Sequence, residues 1–171
     1  AEDETYDGPI DFVAYYEVTS GTILESIQNN QQVSEDGVDV VFDLSYTKSS
    51  EGLMSTFWFK AGDGSNTVTV NAADTGEVTY TYLTHGLFSA AIGATDDQGN
   101  EYYENITIRI DKQITWADTN TANPRSMNID VTPDCVCQLA EQIKIDSTVE
   151  NIENGFGIVG SPVTVTWYLN N

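Results

Sequence analysis

The sequence is short of positive charge. Its 171 residues include 27 acidic side chains but only 6 basic ones, a formal net charge of −21 with the single histidine neutral. Such a surface repels phosphate and anionic headgroups, which excludes nucleic acid as a partner. Long apolar runs are missing too. The longest candidate, LFSAAIGA at residues 87–94, is broken by Ser89 and Gly93 and falls well short of the roughly 18 residues of a membrane span, so no membrane insertion is expected. Histidine occurs once, at His85, so any nucleophile activated by imidazole would have to work through that residue. A paired-carboxylate glycosidase needs a deep cleft that a short chain of small modules has little room to build. No enzymatic activity is therefore expected. The two cysteines, Cys135 and Cys137, form a C-x-C with no second pair and no nearby histidine, which does not make a zinc site. Their side chains would run nearly parallel on an extended segment, a poor geometry for a mutual disulfide. Burial as free thiols and bonding to another chain both stay open.

What is present is alternation. Val38, Val40, Phe42, Leu44 and Tyr46 fall on one face of a strand, and Asp39, Asp43 and Ser45 on the other. Similar strands are predicted at residues 53–60, 67–72, 77–83, 87–95 and 102–110, separated by turn signals such as Asp63-Gly64, Thr75-Gly76 and Gln98-Gly99-Asn100. In the last strand Tyr102, Ile106, Ile108 and Ile110 should face a core and Tyr103, Asn105, Thr107 and Arg109 the solvent. Only residues 22–32 have a pattern that fits a short helix, and a loop fits it equally. The fold class is all-β.

Four pieces of this pattern resemble a PKD domain, an immunoglobulin-like β-sandwich common in secreted and surface proteins. FWFKAGDG (57–64) is similar to that family's aromatic strand and Gly-Asp-Gly turn, and VTYTYLTHGLF (78–88) to its tyrosine-rich strand. ATDDQGN (94–100) is similar to its final hairpin and YENITIRID (103–111) to its closing strand. Phe59-Lys60-Ala61 stands where the family usually has an Asp, and His85-Gly86 replaces a Pro-Gly turn. The resemblance implies a sandwich over residues 21–111 and an extracellular or cell-surface location. Residues 112–171 supply only four or five further strands, whereas a self-sufficient sandwich of this kind has about seven. The expected architecture is thus two tandem sandwiches, the second incomplete and completed by a strand from elsewhere.

Residues 1–20 offer such a strand. Ile10, Phe12, Ala14, Tyr16 and Val18 alternate with polar and smaller neighbours after an acidic leader. If this row fills the gap in the next molecule, the contact is head-to-tail and propagates into a homopolymeric filament, pilus-like fibre or surface layer. The same row also fits the opening strand of the PKD-like sandwich itself. The rival function is a carbohydrate- or protein-binding module, with Trp58, Trp116 and Trp167 as sugar-stacking rings, although alternation sends most such rings to a core.

Acidity unmatched by cations points to hydration, salt or divalent ions. Calcium takes six to eight oxygen ligands, and Asp63, Asp96, Asp97 and Asn100 are the turn residues that could supply them. Solvated turn acids making local hydrogen bonds explain the same residues. Asn105-Ile106-Thr107 is an N-x-[ST] sequon on a solvent-facing strand, a glycosylation acceptor if the chain is secreted.

Overall fold

The computed structural model describes residues 8–117, 126, 142–146 and 166. The chain divides into two compact units, residues 1–140 and residues 141–171. All ten strands described lie in the first: β1 (Ile10–Asp11), β2 (Ser20–Gln28), β3 (Gln31–Asp36), β4 (Val38–Asp43), β5 (Lys48–Ser49), β6 (Met54–Lys60), β7 (Val68–Asn71), β8 (Glu77–Tyr82), β9 (Gly86–Asp96) and β10 (Glu101–Ala117). Most of the stretch beyond residue 117 in which further strands are expected lies outside the described residues, as do both cysteines and Trp167; the described residues 142–146, where one such strand is expected to begin, are exposed and form no strand.

One layer is a six-stranded sheet in the order β3-β2-β10-β9-β6-β7; facing it are the pairs β4-β8 and β1-β5. Strands with one apolar face must bury it against another layer, and the alternation does so. Val40 and Phe42 of β4 and Val78 and Tyr82 of β8 meet Phe57 and Phe59 of β6, Phe88 and Ile92 of β9 and Ile108 and Ile110 of β10, all of them buried. An aromatic chain ties the layers together. Ring centroids are 4.8 Å apart for Phe42 and Phe59, 5.7 Å for Phe59 and Tyr80, 4.9 Å for Tyr80 and Tyr82, and 4.8 Å for Tyr82 and Phe88. The buried Tyr82 hydroxyl donates to the Ala61 carbonyl at 2.8 Å, so its one polar atom is satisfied inside the core.

Three sequence expectations change. Residues 22–32 are neither helix nor loop: they belong to a hairpin of β2 and β3, turned by Asn29 and Asn30, both at positive φ. Asparagine tolerates that conformation better than most residues, and tertiary pairing decides the rest, because β2 runs parallel to β10 from Arg109↔Ser20 to Ala117↔Gln28. The closing strand does not end near Ile110; β10 is one continuous strand that includes the stretch around Ile114. Tyr46 leaves the core face and is 61% exposed: the alternation runs on past the end of β4 to the buried Leu44, and the turn at residues 45–46 then takes Tyr46 outward.

Candidate functional site

The row expected to act as a donor strand lies on its own sandwich. Ile10 is 1% exposed and pairs with Ser49, Phe12 and Ala14 pack against the core, and the Phe12 ring is 5.2 Å from that of Tyr102. Tyr16 and Val18 are exposed, although the Tyr16 ring still contacts Phe42 at 5.6 Å. Thr47 holds the segment, accepting from the Val13 N–H at 3.0 Å and donating to its carbonyl at 2.9 Å.

The residues expected to bind calcium fall into two separate turns. Asp96 begins the β9–β10 turn opposite Met54 at the start of β6, whereas Asp63 follows the other end of β6. Asp96 is 2% exposed and accepts from the Ser49 hydroxyl at 2.7 Å, from the Asn100 N–H at 2.8 Å and Nδ2 at 2.9 Å, and from the Gln98 N–H at 3.0 Å. Burial works to raise its pKa, but those donors together outweigh it and hold the carboxyl at about 2. Asp97 Oδ1 accepts from the Leu53 N–H at 3.1 Å, and Asp63 from the Ser65 N–H and the Tyr80 hydroxyl. These acids shape turns. Among the described residues no three His, Cys, Asp or Glu side chains come together to hold a metal.

The outer face of the six-stranded sheet presents a different kind of site. Phe57 and Phe59 both point into the core, so the period of two turns Trp58 outward, against the expectation that alternation buries such rings. Its cross-strand partner on β9 is Gly93, whose own partner on β10 is Tyr103. A Cβ at Gly93 would sit 2.3 Å from Trp58 Cζ2 and 2.4 Å from Cε2, so only glycine lets the indole lie down on the sheet. Tyr103 is 54% exposed, and its ring centroid is 5.9 Å from the Trp58 ring at an interplanar angle of 43°. The Trp58 indole N–H is buried without a hydrogen-bond partner, and the residue as a whole is partly exposed. A shallow depression beside Trp58 is lined by Thr56, Lys60, Thr69, Thr95 and Glu101. An aromatic floor ringed by hydroxyls and two opposite charges can stack on the C–H face of a pyranose and hydrogen-bond its hydroxyls. Tyr103 was legible as a solvent-facing residue, but Gly93 was not: its signal, a glycine inside a strand, shows its purpose only once the register sets it opposite a tryptophan.

No family model matches the sequence, and no curated protein matches it. The structure is similar to solved β-sandwiches. One is from work on carbohydrate-binding modules of the β-sandwich superfamily, with TM-score 0.47 and 19% identity over 63% of this chain; the match covers 36% of that longer chain. Another is the PKD1 domain of the Vibrio cholerae metalloprotease PrtV, with TM-score 0.39 and 20% identity over 58% of this chain and 94% of that one. A third is the PKD domain of the human VPS10 domain-containing receptor SorCS2, with TM-score 0.39 and 12% identity over 61% and 76% of the two chains.

Proposed function

We propose that this chain is a non-catalytic, extracellular β-sandwich module that binds neutral glycans on the outer sheet face around Trp58 and Tyr103. The observation that carries the reading is the outward Trp58 ring lying over Gly93, a glycine whose space serves it, with the Tyr103 ring 5.9 Å away. A large aromatic surface held flat on a sheet and ringed by threonines is built for contact rather than for core packing. The net charge of −21 narrows the ligand class, because uronic acid or sulfated chains would be repelled and neutral polysaccharides would not.

A glycan array, followed by affinity electrophoresis in gels cast with soluble neutral polysaccharides, tests the reading. Wild-type protein produced without glycans should be retarded by at least one polysaccharide. Trp58→Ala should weaken that retardation at least tenfold while circular dichroism stays unchanged. No retardation in any gel, or equal retardation of the variant, overturns it.

One observation favours a second reading, a head-to-tail fibre subunit. Residues 10–18 are held by little backbone pairing: a two-residue ladder with β5 and a single bridge between Tyr15 and Asp43. A segment with so few ladder bonds is the kind that can exchange between molecules. In that reading Ile10, Phe12 and Ala14 bury themselves in a neighbouring copy.

A further inference from the structure

The aromatic face has a second feature two residues along the same strand. Asn105 and Thr107 of the sequon are both exposed and both outward, because Ile106 and Ile108 take the inward positions of β10. Tyr103 precedes Asn105 by two residues on that face, so their Cα atoms are about 7 Å apart, within reach of one sugar ring linked to the amide. Across the strand Asn105 faces Ala91, and Tyr103 faces Gly93. Nothing larger than a methyl group on β9 therefore stands between the acceptor amide and the two rings. On its other side β10 has no described partner strand before Arg109, where β2 begins to pair.

We propose that Asn105 is N-glycosylated and that the first sugar of its glycan folds back onto Tyr103, so that the chain's own glycan caps the aromatic face. In the modification the Asn105 amide nitrogen attacks the anomeric carbon of a phosphate-activated oligosaccharide carried on a lipid. The new C–N bond replaces the C–O bond to phosphate, the amide loses one proton, and the lipid phosphate leaves. Thr107 supplies the hydroxyl by which the transferase recognises the sequon. The attached sugar is held beside the rings by a covalent link, so its effective concentration exceeds that of a free glycan. The inference rests on reading this face as a seat for sugar and specifies its regulation: unmodified molecules present the rings, and glycosylated ones cover them.

The test uses the full chain secreted from a host that N-glycosylates its exported proteins, alongside Asn105→Gln and Tyr103→Ser. Intact mass and peptide mapping should place a glycan on Asn105 that Asn105→Gln lacks. Glycosylated wild type should melt about 3 °C above Asn105→Gln, and this gain should vanish when Tyr103→Ser is compared with the double variant. In gels cast with neutral polysaccharide, glycosylated wild type should bind at least tenfold more weakly than Asn105→Gln. A bare mass overturns the inference, as does a glycan that alters neither melting nor retardation. The two readings fail separately. Bare mass with normal polysaccharide binding sinks only the capping; a Tyr103-dependent melting gain, with no sugar bound by Asn105→Gln, supports the cis stack and sinks only the binding module.

Discussion

Asp96 shows how much one carboxylate can organise. Four donors converge on it from Ser49, Gln98 and Asn100, so a single charge joins β5 to the β9–β10 turn. Its pKa of about 2 in the folded chain lies below the roughly 3.9 of an unfolded aspartate. Its contribution to stability is thus fully present above about pH 4 and is lost as the pH falls toward 2. Melting curves across that window should show wild type losing stability more steeply than Asp96→Asn, and parallel curves would refute the assignment. The sequence marked this residue as a turn acid, which it is. Its burial was not legible, because Ser49 is 47 residues away and only the fold brings it near.

At the level of elements, the β2–β3 hairpin depends on β10 more than on the core. Ile23 is the one residue of the hairpin in the core cluster, while all of β3 is exposed. What fastens the hairpin is the parallel ladder to β10 and Lys112, whose ammonium lies 2.8 Å from Glu25 and 3.0 Å from Glu35. Desolvation works to lower the Lys112 pKa, but hydrogen bonds to the two carboxylates outweigh it and raise it. Lys112→Met keeps the apolar stem and leaves two like charges facing each other, a cost of about 1 kcal/mol for a partly buried pair. Amide exchange should quicken several-fold across residues 23–36 and stay unchanged in β6 and β9; uniform or absent change would overturn this account. Apolar periodicity misread the hairpin because Ile23, Leu24 and Ile27 fit a helical face as well as a strand. Parallel pairing with a segment about 90 residues downstream leaves no local signature.

For the whole molecule, the decisive question is where residues 10–18 reside. Deletion of residues 1–19 removes Ile10 from the core and Phe12 and Ala14 from its margin. Burial of one large aliphatic side chain alone is worth about 2 kcal/mol. Monomeric protein should therefore lose several degrees of melting temperature on deletion, with no change in particle size under negative-stain electron microscopy. Filaments in the intact protein that disappear on deletion would instead establish the fibre reading. A calcium chelator added to both samples tests whether the acidity has a role at subunit joints.

The sequence by itself determined the class: alternation with a period of two, frequent turns and a one-signed charge define an acidic, all-β chain, and the resemblance to a PKD domain implied the sandwich. The local rule is sufficient there, because each strand needs only its own residues to mark which face is buried. It also placed Asn105 and Tyr103 outward together. Register across strands lay beyond it. That Gly93 makes room for Trp58, that Ser49 meets Asp96 and that Lys112 bridges β2 and β3 are decided by strand order, which arises from many long-range pairings at once. Tertiary structure therefore decided the make-up of the outer aromatic face, since it joins residues of β6, β9 and β10 and no single stretch of chain contains it.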